Sequence, residues 1–226
     1  MARLLLLAAS AAFFASSASA AVLVVRSSGP SASAYPAGKA LPDSHILKLR
    51  ASDTIVLLDS RGTRTLSGPG SFSVSAAAAP AAVGRTTGAT ARRVRLGAVR
   101  GAGTRSVWQA DLGRSGNVCI ANPGELTLYR PEATAAADVT LTDSEGKTAK
   151  VRFEPNQWEA SWPSELDVKA GKRVNVSGLA QPTTLTLRQL SPVPTGLEGM
   201  AQSLIRADCQ AQLDVLIDTF SARSGG

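Results

Sequence analysis

The stretch Thr54-Ile55-Val56-Leu57-Leu58-Asp59-Ser60-Arg61-Gly62-Thr63-Arg64-Thr65-Leu66 decides the fold. An apolar, β-branched run and a second run of strand formers flank Asp59-Ser60-Arg61-Gly62, in which the Asp side chain can accept from its own backbone and the Gly can adopt positive φ. Strand, tight turn, strand is the signature of a β-hairpin. Working outward, Gly68-Pro69-Gly70 punctuates the chain before the alternating Phe72-Ser73-Val74. Upstream, Ile46-Leu47-Lys48-Leu49 and Val22-Leu23-Val24-Val25 read as further strands, separated by Gly29-Pro30 and Pro36-Ala37-Gly38.

The order Gly38-Lys39, Leu41, Leu49, Asp53, Ile55, Leu57-Leu58, Asp59, Gly62, Leu66, Gly68-Pro69-Gly70 resembles the periplasmic FecR-type domain over residues 21–74. The resemblance implies a stacked β module built of strand, Asp-Gly turn, strand and Gly-Pro turn. It also implies extracytoplasmic binding of a ligand or partner. The best-known members of that family relay a signal to a regulator across the inner membrane. This chain shows neither their cytoplasmic portion nor a spanning segment, so a relay across the membrane is not expected of it.

Residues 106–192 read as a second β unit. Leu126–Arg130, Asp138–Thr142, Ala149–Phe153, Arg173–Val176 and Thr184–Arg188 alternate apolar with polar residues, and turn formers such as Asp143-Ser144-Glu145-Gly146 stand between them. That density of alternation predicts a small antiparallel β-sandwich. Trp108 and Trp162 are expected in its core, Trp162 at one end before a short strand Leu166-Asp167-Val168. Trp158 stands open between a core position and an aromatic binding surface. Residues 193–226 predict one C-terminal amphipathic helix docked on the sandwich. Thr195 and Glu198 have capping-box spacing, and Leu197, Met200, Leu204, Cys209, Leu213, Leu216, Ile217 and Phe220 recur at helical intervals.

At the N-terminus, Arg3, the run Leu4–Leu7 and Ala18-Ser19-Ala20 form the three parts of a secretory leader, cleaved after Ala20. A membrane anchor is the alternative, but Ser10, Ser16, Ser17 and Ser19 interrupt the apolar stretch that a span of about 20 residues needs. The mature chain is thus expected to be periplasmic or secreted, with no transmembrane span. In that setting Cys119 and Cys209 are expected to form a disulfide, two buried thiols being the alternative.

The net charge of +7 is local in origin. Between Asp59 and Asp111 there are arginines and no acidic residue, and Arg85, Arg92, Arg93, Arg95, Arg100 and Arg105 fall in the Ala/Gly-rich segment 75–105. Such composition buries little apolar surface and reads as a linker or loop. Its functional alternative is contact with an anionic envelope surface, each basic side chain contributing about 1 kcal/mol near anionic lipid. Nucleic acid is not an expected partner of an exported chain.

A search for catalytic patterns gives a negative. His45 is the single histidine, and it reads as a strand-entry residue. Neither Gly-x-Ser-x-Gly, a phosphate loop, HExxH nor EF-hand spacing occurs. We therefore expect a non-enzymatic exported β protein with no cofactor or metal. It would bind an envelope or membrane-sensor protein, or an envelope ligand, in extracytoplasmic sensing. The alternatives are a structural protein held to an anionic surface by its arginines, and a hydrolase whose site the sequence does not display.

Overall fold

The 54–66 stretch folds as the expected hairpin in the computed structural model, which describes residues 21–75 and 105–221. The proposed leader, residues 76–104 with Arg85, Arg92, Arg93, Arg95 and Arg100, and residues 222–226 lie outside the described residues. Strands β4 (Thr54–Asp59) and β5 (Gly62–Ser67) pair antiparallel and close on Asp59 opposite Gly62. Asp59 Oδ1 accepts the Arg61 backbone N–H at 2.8 Å, and Gly62 turns the corner at φ 123°, where a Cβ would strain the backbone. β4 then pairs with β1 (Ala21–Ser28), and β1 with β2 (Ala40–Pro42), giving a sheet ordered β2-β1-β4-β5.

Both central strands are unbroken apolar runs because both faces of this sheet are covered. Val22, Val24, Ile55 and Leu57 face a core shared with Leu41, Leu47 and Leu49, under the two-stranded ribbon of β3 (Ile46–Leu49) and β6 (Gly70–Ser73). Leu23, Val25, Val56 and Leu58 face the opposite way, into a core made with the C-terminal helices. Buried Asp53 ties the module's loops, accepting the backbone N–H groups of Ser31 and Arg50.

The second unit contains two sheets. One runs β11-β10-β13-β14-β8, the other β12-β9-β7. Their strands are β7 (Gln109–Asp111), β8 (Gly116–Ile120), β9 (Thr127–Tyr129), β10 (Ala137–Asp143), β11 (Thr148–Phe153), β12 (Glu159–Ser161), β13 (Arg173–Ser177) and β14 (Thr183–Gln189). The sheets enclose a single core in which Leu128 of one meets Val139, Leu141, Phe153, Val174 and Leu187 of the other. The molecule is mainly β, as the alternation predicts.

Two details depart from the sequence reading. The arrangement is not wholly antiparallel: β8 runs parallel to β14, and β7 parallel to β9, because β7 and β8 are neighbours in the chain yet join different sheets. Leu166–Val168 is not a strand. Leu166 is buried, and its carbonyl accepts from Trp162 Nε1 at 2.8 Å, so the segment is held as a loop beneath the indole.

The C-terminal region corrects the expectation of one helix docked on the sandwich. There are two helices, α1 (Gly196–Arg206) and α2 (Gln210–Ser221). Asp208 at φ 54° breaks them, while the backbone N–H groups of Ala207, Asp208 and Cys209 bond back to carbonyls of Ser203, Ile205 and Leu204. The apolar stripe runs on through the break because both helices return to the same surface. That surface is chiefly the β1/β4 face: Leu204, Leu213 and Leu216 pack with Leu23, Val25, Val56 and Leu58, and also with Cys119 and Leu190 of the second unit. The capping box does not form. Thr195 makes no side-chain cap, and Glu198 accepts from Gln202 Nε2 at 3.1 Å instead, with Gly196 entering the helix at φ 69°.

Candidate functional site

The helices lock the two β units together, and this junction shapes the principal cleft. Cys119 on β8 is disulfide-bonded to Cys209 at the start of α2, and both are fully buried. Three residues later, buried Gln212 acts as a strand partner for β8. Its Oε1 accepts the Cys119 N–H at 2.6 Å, and its Nε2 donates to the Cys119 and Val107 carbonyls at 2.8 and 2.6 Å. Asp214, one half-turn on, binds Arg26 of β1 and, at 2.8 Å, Arg114 of the β7–β8 turn. One helix thus holds residues of both units.

Where α1 begins, it stands off from the β4–β5 turn and leaves a cleft of about 810 Å³, within the size range that holds a small ligand or the side chains of a peptide. Val22, Leu58 and Leu197 give it apolar walls, and Asp43, Asp59, Arg61 and Glu198 give it charge. Asp59 is committed to the turn. Burial alone would raise its carboxyl, but the side-chain and backbone bonds from Arg61 and the charges of Arg61 and Arg64 together carry it below the usual carboxylate range. Asp43 is half-buried and makes no hydrogen bond or ion pair among the described residues. Gly199 also lines the cleft. A Cβ built on it meets nothing within 4 Å, so packing within the described chain does not require a glycine in that helical turn.

The residues singled out from sequence fall elsewhere. Arg105 Nη2 donates to buried Asp111 at 2.7 Å and its guanidinium lies 4.4 Å from the Tyr129 ring centroid, the side chain staying 32 % exposed. Trp158 stacks on the same Tyr129, with centroids 6.4 Å apart and planes at 18°, forming a half-buried layer on the small sheet. Burial raises the Tyr129 phenol, Arg105 working against it. Trp162 packs against the second unit's core, whereas Trp108 packs against the helix-side core. His45 stands half-buried before β3, edge-on to Tyr35.

Two buried ionic features escaped sequence reading. Arg130, 1 % exposed, has no carboxylate partner among the described residues. Its guanidinium donates to the carbonyls of Gln157, Ala135, Ala133 and Glu154 at 2.7 to 3.2 Å and lies over Phe153. Lys172 Nζ meets Asp143 Oδ2 at 2.7 Å, both side chains nearly inaccessible. Both pin loops and do not line the cleft. Among the described residues no group of three His, Cys, Asp or Glu side chains is placed to hold a metal ion, and no helix is long and apolar enough to cross a membrane. No family model, curated protein or solved structure matches the chain.

Proposed function

We propose that the chain is an exported, non-enzymatic binding module of the envelope. In this reading residues 21–74 are a FecR-like unit and 106–192 a β-sandwich that buttresses it, and the partner is an envelope or membrane-sensor protein that enters the cleft between the β4–β5 turn and α1. The observation that carries the reading is the make-up of that cleft. A half-buried carboxylate with no hydrogen bond or ion pair among the described residues, Asp43, and a helical glycine with open space above it, Gly199, line a cavity whose walls are fixed by a disulfide-anchored helix pair. Glycine within a helix costs roughly 1 kcal/mol relative to Ala, so its presence where no described residue needs it suits close approach by a further group. The turn and strand order shared with FecR-type domains supports the same extracytoplasmic role.

Gly199→Trp tests the reading. The indole would fill the cleft while the helix gains a residue of better propensity, so the melting temperature is expected to hold or rise slightly. Cross-linking in the native envelope should recover a defined partner with the unsubstituted protein and lose it with Gly199→Trp. Equal recovery by both proteins would exclude the cleft. Recovery by neither would remove the binding role.

A further inference from the structure

The charge of the cleft runs against that of the chain. The protein carries +7 overall, yet the ionisable side chains lining the cleft are three carboxylates, Asp43, Asp59 and Glu198, and one cation, Arg61. Arg61 is already committed, its Nη2 donating to Asp59 at 2.9 Å. Among the described residues Glu198 accepts from the neutral amide of Gln202 and has no ion pair. Asp43 has neither a hydrogen bond nor an ion pair among them, although its charge reaches Arg61 and Arg64. Two carboxylates, one on the turn before β3 and one in the first turn of α1, thus line one cavity with no described cation bonded to either. Apolar surface accompanies them. Leu197 lines the cleft, and the two exposed large hydrophobic side chains of the described residues stand close to it along the chain. Ile46, 52 % exposed, pairs with Ser73 at the end of the β3–β6 ribbon from which the chain continues to Ser75, a lining residue. Val193, 56 % exposed, stands two residues before Thr195, which lines the cleft where α1 begins.

We infer that the occupant of the cleft is a segment of a partner protein in which a lysine or arginine stands beside apolar residues, the cation taken by Asp43 and Glu198 and its apolar neighbours by Leu197 and the rim. The inference rests on the reading of the cleft as a binding site and names the chemistry of what enters it. A lone cation would leave most of about 810 Å³ unfilled, whereas a peptide segment fills such a volume with side chains. Gly199, with open space above it, lets the backbone of that segment come close to α1. The carboxylates also select by sign. Charges at a half-buried wall are screened less than fully exposed ones, so the groups that attract a basic segment repel an acidic one.

The test sets the purified protein against a library of random peptides displayed on phage, so that no partner need be known. Peptides whose binding is lost in Gly199→Trp report the cleft, and they should be enriched in Lys or Arg next to Leu, Ile or Val. For one such peptide made synthetically, Asp43→Asn and Glu198→Gln should each weaken binding about threefold to tenfold, while circular dichroism shows an unchanged fold. Added salt should narrow the gap between the unsubstituted protein and Asp43→Asn. Cleft-dependent peptides that are acidic or neutral, or that bind both variants as tightly as the unsubstituted protein, would overturn the inference and leave the cleft a binding site. A library yielding no peptide sensitive to Gly199→Trp would overturn it as well. Self-association abolished by Gly199→Trp would put a second copy in the cleft and overturn the assignment to a partner. The reading of the cleft itself fails separately, by equal recovery of a partner with Gly199→Trp in the envelope.

Discussion

Arg130 is the residue on which the second unit's loops converge. A guanidinium offers five donors in a rigid fork, and here four bonds from that fork end on backbone carbonyls from two separate loops. Burial pulls the group below its ordinary value; the carbonyl dipoles and the Phe153 ring stabilise the charge in place of a carboxylate. Arg130→Met would keep much of the apolar stem and orphan the carbonyls. A buried acceptor left unpaired costs about 1 to 3 kcal/mol, and some carbonyls can turn to solvent, so a total loss of about 3 kcal/mol is expected. Arg130→Lys should recover only part of it, since one ammonium cannot reach both loops. Denaturant titration of the three proteins checks this, and a loss within about 0.5 kcal/mol of zero for Arg130→Met would show that the network stabilises nothing.

At the scale of elements, the disulfide acts through α2 on the edge strand β8. An edge strand exposes unpaired backbone groups, and Gln212 satisfies those of Cys119 while the sulfur bond fixes the helix that carries it. The cysteines are 90 residues apart, for which the loop-entropy model gives about 4 to 5 kcal/mol. Replacing both by Ala should lower stability by that order and speed hydrogen exchange at the backbone amide of position 119. Unchanged exchange would mean that Gln212 holds the edge alone. The strands were largely readable because alternation and turn chemistry are local signals: β10, β11, β13 and β14 stand where the sequence places them. The partner of the helices was less legible. The clue was present in Val22–Val25 and Ile55–Leu58, runs without alternation, which fit strands covered on both faces. The short strands β7 and β12 and the parallel pairings carry too few residues to signal themselves. The cleft was invisible for a related reason, since Asp43, Asp59 and Gly199 are brought together by pairing and docking and by no spacing along the chain.

Across the whole molecule, three cores are stacked through one shared layer, and the groups that make stability depend on pH lie in both β units. Asp53 and Asp59 belong to the first and Asp143 to the second. All three carboxyls sit below their usual range. For Asp143 the bond from Lys172 is the main cause, helped by backbone N–H groups; for Asp53 burial opposes the shift but bonds from Ser31 and Arg50 outweigh it. A depressed carboxyl stabilises the fold fully above its unfolded value of about 3.9 and loses that contribution as the pH falls toward the folded value. Lys172 is raised, chiefly by its bond to Asp143, so its contribution is present below the unfolded value of about 10.4 and fades above it. The melting temperature should therefore be level between about pH 5 and 10 and fall on either side. Because Leu23, Leu58 and Cys119 share one core with Leu204 and Leu213, both β units should lose structure in the same acid transition. Tryptophan fluorescence, which reports the second unit and its junction, should coincide there with hydrogen exchange of β4. In Asp143→Asn the melting temperature at pH 7 should drop and its dependence below pH 4 should become shallower, as one of the three depressed carboxyls is gone. An acid limb as steep as that of the unsubstituted protein would show that the Asp143–Lys172 pair does not govern it, and two separated acid transitions would show that the shared core does not couple the units.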